Sequence, residues 1–185
     1  ILVQIPETLP APEDGFETIA DLAKSRLRNF SVRVNSDSSS QDGLIGDFNL
    51  DTGFRYLKID TSNMSEVYYT PDSVNQDLLS DQVDNIREDR TPEDLLFQVL
   101  LDWGVDLALP ISQQSIAGKT VFFVDGNALA ACFDRGIDEN FVKQLAAHKP
   151  MRVVFRDAGF ASDSVKINVE QVFKLLSPAT EIKTL

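Results

Sequence analysis

Three aspartates and one lysine occupy positions where strand-end carboxylates could hold a metal ion. Asp125, Asp134 and Asp157 lie at or just after the ends of apolar, strand-like runs, and Lys166 follows the last of them. Such carboxylates beside a lysine can hold Mg²⁺ for phosphodiester cleavage. Asp125 also fits a tight turn with the Gly and Asn that follow it, and acids at strand ends commonly serve solubility. We therefore keep a stand-alone carboxylate-metal nuclease as the alternative interpretation, and expect no metal site.

A second candidate site lies at the start of the chain. Residues 1–5 form a short apolar run that ends at Pro6, which is typical of a buried strand. In nucleotide-binding α/β folds, a polar residue at the carboxyl end of the second strand hydrogen-bonds the ribose of the cofactor. Gln4 or Glu7 would fill that position. Any buried strand that ends in a polar group shows this pattern, so the spacing alone names no ligand.

The single cysteine, Cys132, and the single histidine, His148, restrict other chemistry. They exclude an internal disulfide, a cysteine-based zinc site and a Cys/His catalytic pair at recognisable spacing, and they fit a reducing, cytoplasmic setting. His148 stands at a predicted helix end, where imidazole interacts favourably with the helix dipole. There is no Gly-rich phosphate loop and no GxSxG, HExxH or GxGxxG pattern. We therefore expect no catalytic residue in this chain.

The first half of the chain carries one well-marked helix. Thr18 followed by Asp21 is a capping-box pattern, and apolar residues recur at helical spacing over 17–29. Polar, proline-rich sequence precedes this helix. Four weaker patterns follow it: a strand at 31–34, an exposed loop at 35–43, a strand at 54–59 and a helix at 75–88.

The helix that begins at Pro92 has the clearest boundaries. Thr91 is its predicted N-cap, acids fill its first turn, and Gly104 ends it. Trp103 closes its apolar stripe. Its spacing favours a place in the core over a stacking platform for a nucleic-acid base.

From residue 107 onward the apolar period changes to two, which predicts three antiparallel strands that begin near Leu107, Val121 and Leu129. A helix from Asp138, a strand at 151–155, a helix from Asn168 and a strand at 181–185 follow. The order β-α-β-α-β over 128–185 predicts parallel strands with helices packed on the sheet. We therefore expect an α/β fold with a mixed sheet, in which an antiparallel meander joins the β-α-β-α-β unit.

Charge and hydropathy exclude some partners. No apolar run approaches the roughly 18 residues that a membrane span needs, so we expect no membrane contact. The net charge is −12, and residues 60–106 hold twelve acids against two bases, Arg87 and Arg90. DNA-binding surfaces need clustered bases, so this chain is not expected to grip DNA by itself. The acidic stretch is either a solvated face or a docking face for a basic partner.

The chain opens in a β-like run without Met, which indicates a piece of a longer protein.

Beyond these patterns, the sequence resembles the modification (Mod) subunits of type III restriction-modification systems, which are adenine-specific DNA methyltransferases. The resemblance covers nearly the whole chain and is weakest over 35–53. It is carried by five groups of segments: ILVQIPE with TIADLAKSRLRNF, GFRYLKIDTSNM, DNIREDRTPEDLLFQVLLDWGVDL, IAGKTVFFVDGNALAACFD, and MRVVFRD through VKINVEQVFKLLSP.

The resemblance implies two parts. Residues 1–59 would be the end of a Rossmann-like methyltransferase domain, and residues 60–185 a C-terminal α/β accessory domain used for subunit assembly. The parent enzyme would transfer a methyl group from S-adenosylmethionine to adenine N6 of a base turned out of the duplex. The family's DPPY-type tetrapeptide and FxGSGT-type loop are absent here, so this chain alone is expected to be inactive and to bind no cofactor.

The resemblance also implies partners. Gln4, or with less support Glu7, would contact the cofactor where related methyltransferases use an acid. The rest of the modification subunit, a second copy in a homodimer and the restriction subunit are the expected protein partners. DNA would be bound only through the full-length enzyme.

Overall fold

The computed structural model describes residues 3–13, 15–40, 51–65 and 84–185. The chain divides into two compact units, Ile1–Ile59 and Asp60–Leu185, called here the N-terminal unit and the C-terminal unit. Most of the helix predicted over 75–88 lies outside the described residues. Its described part, residues 84–88, is not helical.

The N-terminal unit contains a two-stranded ribbon and one long helix. Strand β1 (Thr8–Glu13) pairs antiparallel with β2 (Phe16–Thr18), and helix α1 (Ile19–Ser40) follows directly. The predicted cap of this helix is confirmed: the Thr18 N–H donates to Asp21 Oδ2, and the Asp21 N–H donates to Thr18 Oγ1, both at 3.2 Å. Local signals therefore determine where α1 begins.

Helix α1 is longer than predicted. It continues to Ser40, so the predictions of a strand at 31–34 and of a loop from residue 35 are wrong as far as residue 40, and residues 41–43 lie outside the described part. An alternating run of four residues is a weak strand signal. Extending a helix that has already formed adds one hydrogen bond per residue fixed, whereas a strand at 31–34 needs a partner.

Two predicted strands of the N-terminal unit are also wrong. Residues 3–5 and 54–59 form no strand, and Val3, Ile5 and Ile59 are 88, 68 and 98% exposed. The first strand of this unit is instead β1, whose sequence is rich in proline. Proline is tolerated there because it can lie where the strand edge makes no backbone hydrogen bond to a neighbouring strand. An apolar run becomes a strand only when a neighbouring strand supplies the other half of the ladder.

The C-terminal unit is built on a five-stranded mixed sheet in the order β3-β4-β5-β6-β7. Strands β3, β4 and β5 are antiparallel neighbours, and β5, β6 and β7 run parallel, so the predicted meander and β-α-β-α-β order are confirmed. The strand bounds are Ile111–Ile116, Lys119–Val124, Leu129–Cys132, Arg152–Phe155 and Glu181–Thr184. The first begins at Ile111 rather than Leu107, because residues 106–109 form a turn.

Three helices cover the two faces of this sheet. Helix α2 (Pro92–Asp102) packs on one face, and α3 (Glu139–Ala147) and α4 (Asp163–Leu176) pack on the other. The alternation along β4 divides its side chains accordingly: Val121 and Phe123 point toward α3 and α4, whereas Phe122 and Val124 point toward α2. The buried side chains of both faces make a self-contained core.

The caps of these helices follow the sequence signals. Thr91 is the N-cap, as predicted, and also forms a capping box with Asp94, while Asp138 accepts from the Phe141 N–H at 2.8 Å. Helix α4 begins at Asp163, five residues before the predicted start at Asn168, because Ser162 provides an earlier N-cap.

Candidate functional site

The two residues predicted to contact a cofactor lie in the segment before β1, which forms neither helix nor strand. Gln4 is exposed, and its amide Nε2 donates to the backbone oxygen of the adjacent Ile5 at 3.0 Å. Glu7 is exposed as well, and its backbone oxygen accepts from the N–H of Ile19, the first residue of α1, at 3.0 Å. The backbone thus ties Glu7 to the start of α1, while its carboxylate faces solvent. The cofactor role of both residues stays a prediction.

The richest cluster of charged side chains lies at the carboxyl end of the parallel strands β5 and β6. Asp134 and Arg135 follow β5, and Arg156 and Asp157 follow β6. Because parallel strands end at the same edge of a sheet, residues far apart in sequence meet there. We call the set Lys119, Asp134, Arg135, Arg156, Asp157 and Lys166, together with Asp84, the carboxyl-edge cluster.

Asp84 is the centre of this cluster. Its Oδ2 accepts from both Arg135 and Arg156, and its side chain is 23% exposed. The hydrogen bond from Arg156 and the positive charge behind it outweigh desolvation and hold the pKa of Asp84 below its ordinary value of 3.8. These contacts join the segment before α2 to the sheet edge over 72 residues of sequence. Sequence reasoning missed this role of Asp84, because no spacing rule connects such distant positions.

The other members of the carboxyl-edge cluster are paired as well. Asp157 forms an ion pair with Lys166 at 2.6 Å, and Asp134 Oδ2 accepts from the Thr120 N–H at 2.6 Å. Lys119 Nζ donates to the backbone oxygen of Arg135 at 2.5 Å. Asp134 thus ties the end of β5 to β4, and Asp157 ties the end of β6 to α4.

The third aspartate of the nuclease interpretation lies elsewhere. Asp125 follows β4, which runs antiparallel to β5, so it stands at the opposite end of the sheet from Asp134 and Asp157. It occupies the turn between β4 and β5 with a φ of 48°. Among the described residues, no group of three or more His, Cys, Asp or Glu side chains is placed to hold a metal ion. The geometry therefore does not bring the three predicted carboxylates together.

Trp103 and His148 have structural surroundings. Trp103 is partly buried against the core beneath α2, as predicted, and the cations of Arg152 and Lys183 each lie 5.4 Å from its ring centroid. His148 caps the end of α3, also as predicted, with its ring 5.4 Å from that of Phe123. The cations of Arg152 and Lys183 contribute cation–π stabilisation at the indole ring of Trp103.

The lone thiol is inaccessible. Cys132 is fully buried at the end of β5, and burial raises its pKa to about 11. A thiol is nucleophilic only as the thiolate, so Cys132 is suited to packing rather than covalent chemistry at neutral pH.

Comparison with known proteins identifies no relative: no family model matches this chain, and no curated protein matches it. In the part of the chain that the structure covers, no helix is long and apolar enough to cross a membrane.

Proposed function

We propose that this chain is the C-terminal part of the modification subunit of a type III restriction-modification system. The parent enzyme would be a cytoplasmic, adenine-specific DNA methyltransferase that uses S-adenosylmethionine. The chain itself would supply the edge of the methyltransferase domain and an assembly domain, without catalysing methyl transfer alone. The sequence segments described above suggest this assignment, and the contrast between the two units supports it.

The observation that carries the proposal is the apolar surface of the N-terminal unit. Of the residues in this unit whose burial is described, 3–12, 15–36 and 51–59, only Ala20 is buried. Large apolar side chains are 49 to 98% exposed there: Val3, Ile5, Phe30, Val32, Tyr56, Leu57 and Ile59. An exposed apolar surface of this extent is typical of an interaction site. Coverage by the rest of a methyltransferase domain would bury these side chains.

The contacts that hold the N-terminal unit together are mostly polar. Ser31 Oγ lies 2.7 Å from Thr52 Oγ1, and Lys24 Nζ lies 4.7 Å from the ring centroid of Tyr56. These contacts attach residues 51–59 to α1 without removing much apolar surface from water. Exposed polar contacts contribute little to folding, so this unit depends on a partner for its stability.

The C-terminal unit fits a different role. Its sheet and helices bury a core on both faces, acids such as Asp84 and Asp157 lie in ion pairs with bases of the same unit, and its composition is acidic, whereas a DNA-binding surface would be basic. A self-contained α/β unit of this kind fits subunit assembly, with a second modification subunit or with the restriction subunit as partner. Pull-down and light scattering at micromolar concentration test this part: self-association or capture of the restriction subunit is expected, and the absence of both would contradict it.

Calorimetric titration with S-adenosylmethionine tests the enzyme assignment. The 185-residue chain is expected to bind no cofactor, whereas a longer natural subunit that contains it binds clearly. In that longer subunit, Gln4→Ala removes the predicted ribose contact and weakens binding about tenfold, the effect of one hydrogen bond of ~1.4 kcal/mol. Glu7→Ala is the matched control, with a smaller expected effect. Tight binding by the 185-residue chain alone would contradict the proposal.

A further inference from the structure

Strand β3 (Ile111–Ile116) forms one edge of the five-stranded sheet. Its inner side pairs with β4 in six consecutive residue pairs, with no shift of register. Within the described part of the chain, no strand lies on its outer side. The outer backbone groups of β3 therefore form a row of donors and acceptors that another strand can use.

The turn between β3 and β4 determines which residues point outward. Ala117 and Gly118 have φ values of 47° and 77°, the geometry of a two-residue type I′ turn. The pair that flanks such a turn, Ile116 and Lys119, is hydrogen-bonded, and bonded and non-bonded pairs alternate along an antiparallel ladder. At the far end, the Asp125 N–H donates to the Pro110 oxygen at 2.9 Å, as the same alternation requires.

The odd-numbered residues of β3 therefore present their N–H and C=O groups to the outside: Ile111, Gln113 and Ser115. Strand β4 supports the same directions for the backbone groups. The N–H of Thr120, which lies opposite Ser115, donates to Asp134 on the β5 side and therefore not to β3. The four central residues of β3, Ser112 to Ser115, are all exposed.

The edge at β3 has none of the features that keep sheet edges apart. Charged side chains, prolines and bulges are the usual protection. Strand β3, with the sequence ISQQSI, has none of them, and residues 107–118 contain no Asp, Glu, Lys or Arg. The opposite edge strand, β7, carries Glu181 and Lys183, both exposed. The described part of the chain thus protects one edge of the sheet and leaves the other edge without a neighbouring strand.

We propose that β3 pairs antiparallel with β3 of a second copy of this chain, across a twofold axis at Gln113. The proposal rests on the assembly role of the C-terminal unit and names its surface. With Gln113 opposite Gln113 of the second copy, Ile111 faces Ser115 in both directions. The three outward-facing residues of each strand then exchange hydrogen bonds, and two five-stranded sheets become one.

Charge and symmetry select a second copy as the occupant. Each chain carries a net charge of −12, so two copies repel one another least where they meet at an uncharged surface. The stretch 107–118 is such a surface. Pairing of β3 with β3 is isologous and closes after two copies, whereas pairing of β3 with β7 would continue into an open fibre.

The test is the mass of the 185-residue chain in solution, measured by light scattering over a range of micromolar concentrations. Wild type is expected to form a dimer. Gln113→Pro removes an outward N–H that β4 does not use, so the C-terminal unit still folds. The change deletes two hydrogen bonds per dimer, and the dissociation constant is expected to rise about 30-fold, ~1 kcal/mol for each bond.

Two charge variants at Gln113 test the same pairing without any effect of proline on folding. Gln113→Lys and Gln113→Glu each place like charges opposite one another across the axis, so each variant alone is monomeric. A mixture of the two variants is expected to form the heterodimer. Gln114→Lys is the matched control: its side chain lies on the other face, opposite Ser112 of the second copy, and the dimer is retained.

Other outcomes separate this inference from the assembly role. If the wild-type chain is dimeric and both the proline variant and the charge variants remain so, β3 pairing is overturned while assembly stands. A monomeric wild type that captures the restriction subunit overturns β3 pairing alone. A monomer that captures no subunit overturns both.

Discussion

The two units of this chain use similar local signals with different results. Helix α1 of the N-terminal unit and helix α2 of the C-terminal unit each begin with a threonine–aspartate capping box. Helix α2 then buries four residues against the sheet, namely Leu95, Leu96, Val99 and Leu100, whereas α1 buries Ala20 and leaves Phe30 65% exposed. The comparison shows that a cap determines where a helix begins, while the neighbouring layer determines whether it is stable.

The largest contrast is expected in the response to removal of a phenylalanine. Phe155 is fully buried on β6, with the rings of Phe160 and Phe173 at 5.4 and 6.3 Å. Phe155→Ala is expected to lower the free energy of unfolding by about 3–5 kcal/mol, because it leaves a cavity. Phe30→Ala is the matched control in α1 and should change it by less than about 0.5 kcal/mol. Urea unfolding measures the loss in free energy of unfolding for each variant. Equal losses would contradict the proposed difference between the two units.

A smaller loss is expected at the carboxyl-edge cluster. Asp84→Asn removes the charge that Arg135 and Arg156 share, and should lower the free energy of unfolding at pH 7 by about 1–2 kcal/mol. The control is Glu139→Gln, which breaks the exposed pair with Lys143 at 2.7 Å and should have an effect of about 0.3–0.5 kcal/mol.

The pH dependence of the Asp84 effect has a definite sign. The pKa of Asp84 is lower in the folded than in the unfolded chain, so its contribution is fully present above its ordinary value of 3.8. That contribution is lost as the pH falls through the lower folded value. The difference between wild type and Asp84→Asn should therefore be constant near neutral pH and shrink below about pH 4. A difference that grows on acidification would contradict this assignment.

The smallest contrast compares the two caps. Thr91→Ala should lower the free energy of unfolding of the C-terminal unit by about 1 kcal/mol, because α2 is part of its cooperative core. The equivalent change in α1, Thr18→Ala, should leave that transition in place and reduce only the helical circular-dichroism signal. If Thr18→Ala shifts the main unfolding transition by as much as Thr91→Ala, the two units unfold together.

The C-terminal unit could be predicted well from its sequence because its elements carry their signals locally. The apolar run of β4, the turns at Gly118 and Gly126, and the caps at Thr91 and Asp138 each depend on a few adjacent residues. Contacts between distant positions had no such signal. The pairing of Asp84 with Arg156 joins residues 72 apart and becomes visible only when the sheet is assembled.

In the N-terminal unit the same rules failed where a strand needs a neighbour. Residues 3–5 and 54–59 have the composition of buried strands, yet no strand beside them in the described structure completes the ladder. Pattern rules assume that a partner is present. The incorrect strand predictions therefore lie in the unit whose apolar side chains are exposed.

The most direct test of the difference between the units is hydrogen exchange, followed by mass spectrometry on the intact 185-residue chain at neutral pH. Slow, cooperative exchange is expected for the amides in α2, β4, β5 and β6, because they open only on global unfolding of the C-terminal unit. Amides in α1 should exchange orders of magnitude faster, because Ala20 is the only buried residue among the residues 19–36 of this helix. Protection of α1 equal to that of the central strands would show instead that the N-terminal unit is stable without a partner.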